Sequence, residues 1–215
     1  MRKTITAPNI CESILHESGF YPIAGVDEAG RGPLAGPVVA CALILPPGLL
    51  IEGVNDSKAL SASRRAMLAV KIKAAAMAYS YGIIDAATID IINIHNAALE
   101  AMALAVKSLT THPKVVLADG KFPPVVPCPT LHLVRGDSHS HLIAAASILA
   151  KEARDGIMEC LHNIYPQYGF DKHKGYGTVV HREAIKQYGT CPEHRVSYKL
   201  NCSPIKSTLN IQPLR

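Results

Sequence analysis

The sequence has no tryptophan and only three phenylalanines, and its six cysteines (Cys11, Cys41, Cys128, Cys160, Cys191, Cys202) include no C-x-x-C pair. Zinc-knuckle spacing is therefore excluded, and scattered single thiols suit a reduced compartment better than a disulfide framework. No stretch qualifies as a membrane span: the one twenty-residue window free of charge, residues 32–51, contains Pro33, Pro37, Pro46 and Pro47, which forbid a spanning helix. Residues 1–12 contain no apolar core of the kind a secretory signal needs, so a cytoplasmic location is expected. Internal repeats and low-complexity tracts are also missing.

What is present is ordinary globular composition: 215 residues, 48% hydrophobic and 18% charged. A chain of this length buries about 70% of the surface it exposes unfolded, enough to fold without staples. The net charge of +5 comes from 22 Lys and Arg against 17 Asp and Glu. Residues 161–206 supply +4 of it, seven basic side chains against three acidic ones, together with six of the eleven Phe and Tyr. A basic, aromatic segment suits a polyanionic partner.

Alternation and β-branching mark strands near residues 23–27, 38–45, 78–85, 115–119 and 131–135. Helices are expected over 61–76, over 88–109 with Thr88 as cap, over 138–160 and over 178–187. The helix at 138–160 has an Ala-rich face (Ile143, Ala144, Ala146, Ser147, Ala150) able to approach a sheet closely. The order β-β-α-β-α-β-β-α predicts a mixed sheet with helices on its faces, in the α/β class.

Several carboxylates closely follow apolar strands: Asp27 with Glu28, Asp85, Asp119 and Asp137. Strand ends are where α/β sheets bind ligands. Gathering carboxylates there costs repulsion, which cations offset, and all-carboxylate sites select hard ions such as Mg²⁺ or Mn²⁺. Asp85 is set aside as a helix cap, because Thr88 and a helical run follow at once. After Asp27-Glu28-Ala29, the run Gly30-Arg31-Gly32-Pro33-Leu34-Ala35 formally matches a dinucleotide fingerprint. That motif must open a helix, and here prolines and a strand follow instead. The glycines point to backbone amides approaching a sugar or phosphate beside the acidic site. Farther on, His173, Lys174, Gly175, Tyr176, Gly177 and Thr178, with His181, combine a cation, an aromatic face and flexible backbone, as stacking beside a phosphate would use. The His139-x-His141 pair is given no role.

These segments resemble a known family. G-V-D-E-A-G-R-G-P-L-A-G-P-V-V-A (25–40), D-S-K (56–58), L-A-D-G (117–120), R-G-D (135–137), I-A-A-A-S-I-L-A-K (143–151), the Arg154-Asp155 pair and H-K-G-Y-G-T with His181 resemble bacterial ribonuclease HII, the type 2 ribonuclease H, in the right order from about Tyr21 to Tyr198. No further domain precedes the match, which favours type HII over type HIII. Three positions depart from the family's usual pattern: His139 where Lys is common, Leu142 where Ser is common and Tyr198 where Phe is usual.

The resemblance implies a ribonuclease H-like five-stranded mixed sheet flanked by helices. The catalytic domain would span 1–164, with a small helical C-terminal lobe, 165–215, packed on it. It also implies a catalytic and metal-binding set of Asp27, Glu28, Asp119 and Asp137 holding two Mn²⁺ or Mg²⁺ ions. Substrate binding falls on Gly30, Arg31, Gly32, Ser147 and Tyr176, with Lys58, Lys151, Lys172 and Lys174 as phosphate contacts. The partners implied are RNA–DNA hybrids and duplex DNA containing ribonucleotides; a monomer is expected, with no membrane partner and no protein partner in view. A non-catalytic hybrid-binding protein, a type HIII enzyme and a junction resolvase of the same fold are the competing readings.

Overall fold

The apolar, β-branched runs pair into one sheet. In the computed structural model of the chain, which describes residues 6–55, 57 and 60–200, the strands are β1 (Ile23–Ala29), β2 (Val38–Ile44), β3 (Ala78–Ile84), β4 (Val115–Asp119) and β5 (Thr130–Leu133). Their order is β3-β2-β1-β4-β5. The pairs β1–β2 and β2–β3 are antiparallel, whereas β1–β4 and β4–β5 are parallel. The helices are α1 (Ile10–Glu17), α2 (Ala62–Ala75), α3 (Ala86–Lys107), α4 (His141–Ile164), α5 (Phe170–His173) and α6 (Val179–Tyr188). This is the mixed sheet with helices on both faces that the pattern predicted.

Both faces of the central strands are covered, so they read as continuous apolar runs; every residue of β2 is buried. Ile23, Leu43 and Leu117 pack under α4 and α2, while Ala24, Val26 and Ile44 pack under α3. Two glycines permit the close approach. A Cβ on Gly25 would stand 2.5 Å from the backbone of Leu142 in α4, and one on Gly82 would stand 1.9 Å from the Ala101 carbonyl oxygen in α3.

Three expectations about helices need correction. Asp85 caps α3, the role for which it was set aside, so the helix starts at Ala86 and not at Thr88: Asp85 Oδ1 accepts from the Thr88 amide at 2.7 Å. Nor is α3 continuous, because Asn93 has φ 64° and ψ 162° and its Oδ1 accepts from the amides of His95 (3.0 Å) and Asn96 (3.1 Å), acting as an internal N-cap that restarts the helix. By length and hydropathy α3 could cross a membrane; the break at Asn93 and its packing against the sheet make it a core helix. Finally, α4 starts at His141 instead of Ser138, since Gly136–Ser138 form a 3-10 turn and Ser140 Oγ takes the Ile143 amide at 3.2 Å. The unexpected α1 contributes Glu12, whose Oε1 accepts from Ser140 Oγ (2.6 Å) and the Leu142 amide (2.9 Å), adding a second cap to α4.

Beyond α4, Tyr168, Phe170, Ala184 and Ile185 close an apolar cluster around Met158 of α4 and Leu34 and Ala35 of the β1–β2 loop. The backbone follows the same seam: the Leu34 amide donates to the Gly175 carbonyl (2.8 Å) and the Arg195 amide to the Leu34 carbonyl (2.8 Å).

Candidate active site

Strand periodicity sets the carboxylates. In β1, Ile23 and Gly25 face α4, so Asp27 does too, and the same parity in β4 turns Asp119 that way. The last parallel pair is Val26 with Ala118, so Asp27 and Asp119 leave the sheet side by side. Glu28 has the opposite parity and approaches from the α3 side of the edge, its Oε1 3.3 Å from Arg31 Nη1. Asp119 also fixes the fourth group: its Oδ1 accepts from the Gly136 amide at 2.7 Å, tying the turn that carries Asp137 to the end of β4.

All four carboxylates line one cleft of about 280 Å³, together with Gly30, Arg31, Gly32, Ser57, Ser147, Lys151, Arg154 and Tyr176. Asp27 is only 7% exposed. Burial raises its pKa well above the usual carboxylate range, and the charges of Glu28 and Asp119 push it further. Glu28 is raised by burial as well, against a lowering from Arg31. Among the described residues, no three His, Cys, Asp or Glu side chains already form a cage around one ion. The donor set nevertheless fits hard divalent cations: oxygen ligands only, crowded like charge, and a buried carboxylate whose ionised form a cation would stabilise.

The glycine loop is gripped from behind by two buried arginines that sequence reasoning did not single out as site residues. Arg195 donates to the carbonyls of Gly30 (2.6 Å), Arg31 (3.0 Å) and Gly36 (2.8 and 3.0 Å). Arg154 donates to Pro37 (3.0 Å), Ala35 (3.1 Å) and Lys174 (2.9 Å). Burial lowers the Arg154 pKa to about 10, still far above neutrality, so the guanidinium stays charged. The carbonyls of Gly30 and Arg31 thus point inward, leaving the loop amides for a ligand. The departure at Tyr198 adds to this grip, because its hydroxyl donates to the Arg31 carbonyl at 2.8 Å, a bond phenylalanine lacks. Leu142 packs in the core under Gly25, while His139 is exposed on the turn after Asp137. Arg154 and Ser57 left a signal in the sequence, within the Arg154-Asp155 pair and the D-S-K motif, though not one that assigned them a role; Arg195 left none.

Of the remaining expected contacts, Ser147 Oγ lies 2.7 Å from Ser57 Oγ, and Lys151 is paired with Asp155 at the cleft wall. Lys172 is exposed outside the cleft lining. Lys174 does not line the cleft, contrary to expectation. It adopts a positive φ after α5 and its Nζ is held by Glu159 (2.8 Å) and the Asp171 carbonyl (2.7 Å). Lys58 lies outside the described residues. The histidine given no role is structural: His141 Nε2 accepts from the Ile51 amide at 3.0 Å.

Tyr176, 46% exposed, overhangs Gly32, where a Cβ would lie 3.5 Å from its ring. Its carbonyl accepts from His181 Nδ1 at 2.9 Å, so His181 Nε2 must accept from His194 Nε2, 3.1 Å away, and both imidazoles are neutral. Burial lowers the His181 pKa to about 4. An unfolded histidine takes up its proton near pH 6.5 while the folded one refuses it, so the stability it contributes is full above pH 6.5 and falls as pH drops toward 4. At about 1.4 kcal/mol per pH unit, urea unfolding at pH 4.5 should show a loss of about 2–3 kcal/mol relative to pH 7. Asp27 works in the opposite direction, so the comparison belongs in an Asp27→Asn background; an unchanged midpoint there would mean that the imidazoles are protonated in the fold.

The sheet order and an acidic cleft at the strand ends define the ribonuclease H-like class of nucleases. The crystal structure of ribonuclease H2 from Pyrococcus horikoshii OT3 matches with a TM-score of 0.68 at 26% identity, covering 83% of this chain and 94% of that one. Ribonuclease HII in its complex with PCNA from Archaeoglobus fulgidus matches with a TM-score of 0.68 at 25% identity, over 85% and 98% of the two chains; that relative has a protein partner of a kind the present sequence did not suggest. The Ribonuclease HII family model matches residues 24–201, and ribonuclease HII of Chlamydia muridarum is 51% identical over 90% of this chain and 87% of its own. The chain belongs to the ribonuclease HII family, and it is a ribonuclease H, an endoribonuclease of RNA–DNA hybrids.

Proposed function

We propose that this enzyme cuts both the RNA strand of hybrids and the 5′ side of ribonucleotides embedded in DNA, by divalent-metal-assisted hydrolysis. The observation that carries the reading is Asp27, buried beside the like charges of Glu28 and Asp119 in a cleft that opens to solvent. Asp27, Glu28, Asp119 and Asp137 would hold a pair of Mg²⁺ or Mn²⁺ ions, which supply activation of water and neutralisation of charge on the leaving oxygen. Water oxygen bonds to phosphorus, the P–O3′ bond breaks and the 3′-oxygen leaves as a hydroxyl, giving 3′-hydroxyl and 5′-phosphate ends. Discrimination against DNA rests on the 2′-hydroxyl. The amides of Gly30, Arg31 and Gly32 can donate to it without an intervening side chain, the carbonyls of Gly30 and Arg31 being occupied behind the loop. The Tyr176 ring would pack on the adjoining deoxyribose, where a second hydroxyl fits poorly. All five described cysteines are free, which supports a cytoplasmic location.

A duplex carrying one ribonucleotide, incubated with and without EDTA beside a long hybrid and a four-way DNA junction, tests the reading. Cutting 5′ to the ribonucleotide, abolished by EDTA and restored by Mg²⁺ or Mn²⁺, is expected, with the junction intact. Cleavage that survives EDTA, or that ignores the ribonucleotide, would overturn it.

A further inference from the structure

Across Asp119 and Arg31, on the α3 side of the sheet edge, lies a second cleft of about 280 Å³ that shares those two residues alone with the first. Its walls include His95 and Met102 from the second half of α3 and Lys121 and Phe122 from the segment after β4. Phe122 is 57% exposed, yet His95 holds its ring edge-on at 5.1 Å and 79°. Two backbone features create this arrangement. Gly120, with φ +109°, turns the chain immediately after Asp119 in a conformation that side chains other than hydrogen rarely tolerate. Asn93, with φ 64°, breaks α3 two residues before His95 in a conformation that costs free energy, and such strain gathers at binding sites. Lys121 is exposed and has no hydrogen bond or ion pair among the described residues. A presented aromatic ring beside an unpaired ammonium is the combination that takes a nucleotide unit, ring against sugar or base and cation on phosphate.

We propose that this second cleft holds the backbone of the uncut DNA strand, with Lys121 on a phosphate and Phe122 against the neighbouring sugar. The inference rests on the reading above, in which the first cleft takes the cut strand. The cut strand must bring its phosphate to Asp27 and pass between the glycine loop and Tyr176; Asp27, Gly30, Gly32 and Tyr176 line the first cleft alone, and of the loop only Arg31 also reaches the second. The two backbones of a duplex run side by side across a groove, so the backbone passing on the far side of Asp119 is that of the complementary strand.

Steady-state cleavage of the one-ribonucleotide duplex by wild type, Phe122→Ala and Lys121→Ala provides the test, with thermal unfolding to confirm that these exposed substitutions leave the fold intact. Phe122→Ala should raise KM by about tenfold, the size of one lost aromatic contact. Lys121→Ala should reduce the slope of log KM against log salt by about 1, as loss of one phosphate contact requires. Uncharged methylphosphonate linkages in the uncut strand should raise KM for wild type but not for Lys121→Ala. If that insensitivity appears with methylphosphonates in the cut strand instead, the strand assignment is wrong. If wild type cuts and neither variant changes KM, the second cleft is not a substrate site while the proposed function stands; if wild type does not cut, both fall.

Discussion

Replacing Asp27 by asparagine is expected to lower cleavage by about a thousandfold or more, as loss of a charge that organises the reacting phosphate does, while making the metal-free protein more stable. The two effects share one cause. Asp27 is buried, its pKa raised by desolvation and by Glu28 and Asp119, so at neutral pH the folded state must either hold the charge where it is disfavoured or take up a proton that the unfolded chain does not bind. Asparagine retains an oxygen for the Glu28 amide, which donates to Asp27 Oδ1 at 2.7 Å, and carries no charge. A higher urea midpoint at pH 7.5 follows. The sign of the pH dependence is fixed: a raised folded pKa means the penalty is present at neutral pH and is relieved as pH falls through that pKa, so the wild-type and Asp27→Asn stabilities should converge on acidification. Mg²⁺ should stabilise wild type and not the variant. Near-normal cleavage would remove Asp27 from the site, and a less stable variant would show that the carboxylate makes attractions that outweigh the crowding.

Truncating Arg195 to alanine should destabilise the protein by about 3–5 kcal/mol, among the largest losses a single side chain can give. Arg195 is fully buried and its fork satisfies the carbonyls of Gly30, Arg31 and Gly36; alanine would leave those of Gly30 and Gly36 without this donor and that of Arg31 with the Tyr198 hydroxyl alone. Arg195→Lys keeps the charge but loses the planar fork, and about 2 kcal/mol should remain lost. This folded variant carries the functional readout: with its carbonyls released the glycine loop is free to turn, so KM for the one-ribonucleotide duplex should rise more than kcat falls. Wild-type urea midpoints for both variants would show that the carbonyls find other donors.

Much of the fold was legible because its signals are local. A sheet covered on both faces selects unbroken apolar runs, as in β2, and alternation with β-branching marked the outer strands β3 and β5, so all five strands were visible. Asp27 and Asp119 could be placed at strand ends because a strand's length is written in its residues. Helix boundaries were less legible, since caps are single side-chain choices: α3 starts at Ala86 and not at Thr88, and Asn93 breaks a run whose apolar periodicity continues through it. The lysines misled in part. Lys174 stands in a motif suited to phosphate, yet Glu159, fifteen residues earlier in sequence, is near enough to take it.

By itself the sequence determined which residues could form strands and helices, where acidic groups would end those strands, and through its motifs the family to which the chain belongs. Only the tertiary structure decided that Arg195 would hold the carbonyl of Gly30, 165 residues away, and that Phe122 and His95 would meet beside the acidic edge of the sheet. Periodicity reports only the faces of an element. Contacts between distant segments depend on how those faces pack and on burial that forces every polar group to find a partner, which no local pattern records.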